Sequence, residues 1–179
     1  MVRPAGGKDR NSAHIKSLMA RILIVAYGNP LRSDDGLAWR AAEALQQILA
    51  PEEAEILMLH QLGPEVADSA SRSESVIFVD AAAGPGEPGE VQIQELLANK
   101  SEPAASRFCH AFSPANVLSL SAQLYNANPR AFSATVIGEN FNHGESLSVA
   151  VQAALPALLA RIEELLKKLS RHDGLPTIS

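Results

Sequence analysis

Asp34 and Asp35 are neighbours in the segment Gly28-Asn29-Pro30-Leu31-Arg32-Ser33-Asp34-Asp35-Gly36, Asp80 closes the apolar run Ser75-Val76-Ile77-Phe78-Val79, and His110 stands shortly before Ser113-Pro114. Two carboxylates and an imidazole from three separate segments would make an N,O,O donor set suited to a borderline divalent ion, with coordination positions left open for a substrate. Each residue also has a plainer reading. One of Asp34 and Asp35 can cap the following helix while the other is solvated. Asp80 can cap amides of the turn from Ala81 to Gly86, and a lone loop histidine is commonly a hydrogen-bonded surface residue. The set therefore carries more weight than any member.

Other candidates are thinner. Cys109 beside His110 suggests a thiol nucleophile, but adjacent residues on an extended segment point to opposite sides, and catalytic Cys and His are brought together from distant positions. Cys109 is expected to be a small buried hydrophobe. His60, near the end of a strand, and His143, in the turn Asn142-His143-Gly144, stay in reserve as donors. There is no Gly-x-Gly-x-x-Gly after the first strand, no phosphate-binding Gly-x-x-x-x-Gly-Lys-Ser/Thr and no Gly-x-Ser-x-Gly elbow, which weakens dinucleotide, NTPase and serine-hydrolase readings.

The elements that must position these residues alternate. Residues 21–27 form an apolar run stopped by Gly28-Asn29-Pro30, as a strand buried on both faces requires. Apolar residues three or four apart from Asp35 to Leu49 predict an amphipathic helix. A strand over 54–62, a short helix opened by Pro64-Glu65 and a third strand over 75–80 follow. The alternation of residues 90–96 predicts an edge strand covered on one face. Ser113-Pro114 opens a helix to about Tyr125, residues 131–137 form the last strand, and a long helix over 147–169 contains Pro156, expected to bend it. This order implies right-handed crossovers and a mostly parallel sheet with helices on both faces. The expected fold is α/β, a three-layer α/β/α sandwich with one antiparallel edge strand. Ligands of such sheets bind beyond the carboxyl ends of the strands, where the loops bearing Asp34, Asp35, Asp80 and His110 lie.

Composition bounds the partners. The 179 residues are 46% hydrophobic and 20% charged, which excludes a disordered chain and predicts one domain over residues 19–170, with a flexible arm over 1–18 and a tail over 171–179. Fifteen Lys and Arg against 20 Asp and Glu give a net charge of −5 without basic clusters, so no nucleic-acid partner is expected. No stretch reaches the roughly 18 apolar residues that span a bilayer, and a single cysteine fits a reducing cytosol. A cytoplasmic monomer without a membrane partner is expected.

Taken in order, the GNPLRSDDG turn, Gln61-Leu62-Gly63-Pro64-Glu65-Val66-Ala67, Val79-Asp80-Ala81, His110-Ala111-Phe112-Ser113-Pro114 and Gly144-Glu145-Ser146-Leu147-Ser148 resemble the hydrogenase maturation protease family over about residues 20–170. These endopeptidases trim the C-terminal extension of the NiFe-hydrogenase large subunit. The resemblance implies metal contact by an acid in the first turn, an acid ending a later strand and a histidine, which by motif position are Asp35, Asp80 and His110. It further implies a nickel ion supplied by the loaded precursor, so that cleavage acts as a checkpoint after metal insertion. Many members carry Glu at the position of Asp35, and Asn142-His143 departs from the family pattern, so substrate choice is expected to differ there. Two other readings compete. A receiver-like phosphoacceptor domain would need a Lys ending the last strand, and residues 131–138 contain none. The second is a homologue without peptidase activity, acting as a metal-binding or scaffold protein on a hydrogenase precursor; the presence of Asp35, Asp80 and His110 together argues against loss of the site.

Overall fold

Alternation along the first strand decides which layer each helix joins. In β1 (Ile22–Tyr27), Ile22, Ile24 and Ala26 point to one core and Leu23 and Val25 to the other, with Tyr27 packed against that second core. The computed structural model describes residues 22–96 and 112–172; the arm over 1–18, the stretch carrying Cys109 and His110, and the end of the tail lie outside the described residues.

After β1 the chain makes a single 3-10 turn, Ser33–Gly36, and enters α1 (Leu37–Ile48). Next come β2 (Glu55–Leu59), α2 (Val66–Ser71), β3 (Ser75–Ala82), β4 (Val91–Leu96), α3 (Pro114–Tyr125), β5 (Arg130–Ile137) and α4 (Val149–His172). The strands lie in the order β2-β1-β3-β5-β4, parallel except for the antiparallel β4–β5 pair at one edge. The alternating residues 90–96 are thus an edge strand, as their pattern predicts.

On one face Leu37, Ala38, Ala41, Ala42 and Leu45 of α1 and Val151, Ala154, Leu158, Ile162, Leu166 and Leu169 of α4 cover Ile24, Ile77 and Val79. The intervals of three and four residues along α4 put this stripe on one side of the helix. α4 continues through Pro156 as one helix. On the other face Val66 and Ala70 of α2 and Val117 and Leu118 of α3 cover Leu23, Val25, Val76 and Phe78. Full burial of side chains such as Leu23, Ile77 and Phe78 stabilises by roughly 1.5–3 kcal/mol each. The three layers of the expected sandwich are present.

The helix starts differ from expectation in one respect. Neither Asp34 nor Asp35 caps α1: the residue before it is Gly36, with no side-chain cap, because the 3-10 turn already supplies the preceding carbonyls. In α3, by contrast, the Ser113 hydroxyl accepts from the Asn116 amide, and the Asn116 side chain accepts from the Ser113 amide at 2.9 Å, a reciprocal cap. Among the described residues no helix is long and apolar enough to cross a membrane.

Candidate active site

Register places the first two members of the site. Val25 pairs with Phe78 and Ala26 with Val79, so Tyr27 and Asp80 come next at the carboxyl ends of β1 and β3. Leu23 and Val25 share a core with Val76 and Phe78, and the period of two carries Tyr27 and Asp80 onto the same face. There the Tyr27 phenol donates a hydrogen bond to the Asp80 carboxylate.

The third member comes from the turn after β1, whose conformation is set by Gly28 and Asn29. Gly28 has φ +145°, and a Cβ there would stand 2.1 Å from the Asp35 carbonyl oxygen. The chain can therefore fold back on itself only without a side chain at this position. The Asn29 side chain accepts from the Leu31 amide at 2.9 Å, and the Asn29 amide donates to Asp35 Oδ2 at 2.9 Å. That bond holds the Asp35 carboxylate over the strand end, close enough to Asp80 and Tyr27 to act on both through its charge. Gly28→Ala is expected to cost about 2–4 kcal/mol from the clash and the unfavourable φ, read as a lowered urea midpoint with an unchanged slope.

Electrostatics set this cluster apart. Burial pushes the Asp80 carboxyl up to about 7; the negative Asp35 adds to the rise, and hydrogen bonds from Tyr27 and the Ala81 amide oppose it. Burial, together with Asp80 and Asp35, drives the Tyr27 phenol far above its ordinary range, so it stays a donor at any working pH. A pair of acids that repel each other in a half-buried crevice is eased by a proton or by a cation. Its oxygen donors fit a divalent ion, although among the described residues no group of three His, Cys, Asp or Glu side chains is gathered to hold one. A nitrogen donor would have to come from His110, outside the described residues. Ser113, three residues after it, caps α3 on the same face as Tyr27 and Asp80.

Asp34, next to Asp35, has a different environment. It is fully buried, and its carboxylate accepts from the amides of Glu139 and Asn140 at 2.8 Å each through Oδ2 and from the Ser148 amide at 2.6 Å through Oδ1. Burial alone would raise its pKa, but these bonds from Ser148, Asn140 and Glu139, with the Ser148 hydroxyl, bring it below the ordinary value. The same loop meets the turn elsewhere. Ser33, at φ +50°, donates its amide to the Gly144 carbonyl at 2.7 Å and its hydroxyl to the Asn142 carbonyl at 3.2 Å, while the Gly144 amide donates to the Leu31 carbonyl.

Of the reserve histidines, His60 is exposed at the end of β2 and lies against Trp39, ring centroids 5.0 Å apart. The Trp39 indole donates to the carbonyls of Gly28 and Leu59, at 2.8 and 3.2 Å, tying β1 to β2 just before the turn. His143 is exposed in the loop. The structure thus brings Asp35 and Asp80 together and diverts Asp34 into a structural role. Tyr27 is the member of this cluster that sequence reasoning missed; the period of two puts it on the face of Val25, and only the register between β1 and β3 sets it beside Asp80.

No family model matches this chain, and no curated protein matches it. Among solved structures it is similar to the hydrogenase maturating endopeptidase HybD from E. coli, with 27% identity over 83% of this chain and 93% of that one and a TM-score of 0.67. The solution structure of an endopeptidase from Escherichia coli is also 27% identical, covering 87% of this chain and 94% of that one at a TM-score of 0.64. A NiFe hydrogenase maturation protease, HycI from Thermococcus kodakarensis, shares the fold at 22% identity, 88% and 99% coverage and a TM-score of 0.62.

Proposed function

We propose that this chain, a member of the hydrogenase maturation protease family by its fold, is a cytoplasmic, monomeric endopeptidase that removes the C-terminal extension of a NiFe-hydrogenase large-subunit precursor once nickel has been inserted. The observation that carries the reading is the Asp35–Asp80 pair, converging at the carboxyl ends of β1 and β3 within a fold shared with such endopeptidases.

In this reading the nickel ion arrives as part of the substrate. Asp35 is held by the Asn29 amide with one carboxylate oxygen, Oδ1, not engaged by that bond, and Asp80 is held by Tyr27 and the Ala81 amide. Both offer oxygen donors to a metal already bound by the precursor, and His110 offers nitrogen. An incomplete donor set has low affinity by itself but completes the coordination of a loaded substrate, which brings the scissile peptide to the site in one orientation. The metal supplies Lewis acidity toward a carbonyl or a water. Tyr27 keeps its proton and orients the Asp80 carboxylate.

The test is incubation with nickel-loaded and nickel-free precursor, read by intact mass. Loss of the C-terminal peptide from the loaded precursor alone is expected. Asp35→Ala, Asp80→Ala and His110→Ala should each slow the cut on the order of 100-fold. Binding of loaded precursor without any mass change would replace the protease by a scaffold role, and equal cutting of nickel-free precursor would remove the metal from the recognition step.

A further inference from the structure

We propose that Asp34 is the positioning residue of this site. It takes no part in the reaction; it clamps the loop over 138–148 and the start of α4 onto the turn that carries Asp35, and so fixes Asp35 opposite Asp80. The inference rests on the reading of Asp35 and Asp80 as the precursor-facing pair.

The geometry points to a clamp more than to an ordinary cap. An N-cap needs one acceptor, which serine or asparagine supplies. Asp34 instead receives three amides from two places in the chain, Glu139 and Asn140 just after β5 and Ser148 just before α4. The Ser148 hydroxyl extends the link, since it also accepts from the Val151 amide in the first turn of α4. Burying a carboxylate is costly unless hydrogen bonds replace its water, and here they do, at the positive end of a long helix. Parallel contacts close the same seam: the Asp34 amide donates to the Asn140 carbonyl at 3.0 Å, and the Ser33 and Gly144 amides cross between the two segments. The turn can hold Ser33 at positive φ because this seam over-determines it. Asp35, the next residue, inherits its placement from a backbone fixed on both sides.

Asparagine at this position keeps the size but offers one acceptor oxygen, and its NH2 group would face an amide donor. Asp34→Asn therefore loosens the seam without removing its bulk. Wild type, Asp34→Asn and Leu158→Ala are compared at 10 °C, where circular dichroism establishes that each is folded. Leu158 is fully buried in α4, and its truncation lowers stability without touching the seam. For Asp34→Asn we expect kcat on loaded precursor to fall about tenfold or more with KM within about threefold, and affinity for Ni2+ alone, by isothermal titration, to weaken about tenfold. Leu158→Ala should keep both. If Asp34→Asn does not fold, Ser148→Ala keeps the amide and removes the hydroxyl, and should lower kcat about threefold.

A working wild type with Asp34→Asn matching Leu158→Ala in kcat and in Ni2+ affinity overturns this inference and leaves the proposed function standing. A wild type that neither cuts the precursor nor binds Ni2+ removes both.

Discussion

Asp34→Ala is expected to lower the melting temperature at pH 7 by about 10–20 °C, more than any other single substitution in the turn. Three charge-assisted bonds from part-buried amides are lost at once, each worth roughly 1.5–3 kcal/mol, and water entering the space recovers part of this. A net loss of about 4–6 kcal/mol remains, and for a domain of this size each kcal/mol moves the midpoint by about 2–4 °C. The pH dependence carries a sign that checks the cause. Because the folded state lowers the Asp34 pKa, the stabilisation is present above the unfolded value of 3.8 and is lost as pH falls through the folded one. The gap between wild type and Asp34→Ala should therefore narrow as pH falls below 3.8. Differential scanning calorimetry at pH 7 and pH 3 measures both quantities, and a gap of the same size at the two pH values would show that the carboxylate charge is not what holds the seam.

Asp80→Asn is expected to do the opposite: with divalent cations chelated, it raises the melting temperature at pH 8 by on the order of 10 °C. The Asp80 carboxyl titrates at about 7 in the folded chain against 3.8 in the unfolded one. The folded state holds the proton more tightly, so stability is full below the unfolded value and falls as pH rises through the folded one, by about 4 kcal/mol in all. Asparagine retains the acceptor for Tyr27 and has no charge to bury. The gain should vanish below pH 4, where the native carboxyl is protonated in both states. Thermal melts at pH 4, 6 and 8 read it, and a variant no more stable than wild type at pH 8 would mean that solvent reaches the carboxylate freely. Together the two aspartates place the stability maximum of the metal-free chain on the acid side of neutrality.

The first three strands were legible because each carries an uninterrupted apolar run, the longest being Ile22 to Tyr27, which ends in the turn signal Gly28-Asn29-Pro30. The edge position of residues 91–96 could be read from Gln92 and Gln94 alternating with Val91 and Ile93. The second strand ends at Leu59, short of the expected 62, because the Leu59 carbonyl is taken by the Gly28 amide and the Trp39 indole where the turn begins. The division between Asp34 and Asp35 was not legible. Side by side in sequence they look equivalent, and only amides more than one hundred positions away make one a buried anchor and leave the other facing a second acid. The pairing of Tyr27 with Asp80 needed the register between β1 and β3, which hydrophobic pattern alone does not supply.

The span of the Asp34 bonds also bears on how the molecule is made. Ser148 lies 114 residues after its acceptor, so at ordinary rates of synthesis the turn waits on the order of ten seconds for the loop that completes it. During that interval Asp34 has no partners for its carboxylate, and the sheet can pair β1, β2 and β3 before the turn has its final shape. A chain stalled before residue 139 would hold the acids of the site without the seam that orders them, so competence for the reaction arrives only when β5 and the start of α4 have been delivered.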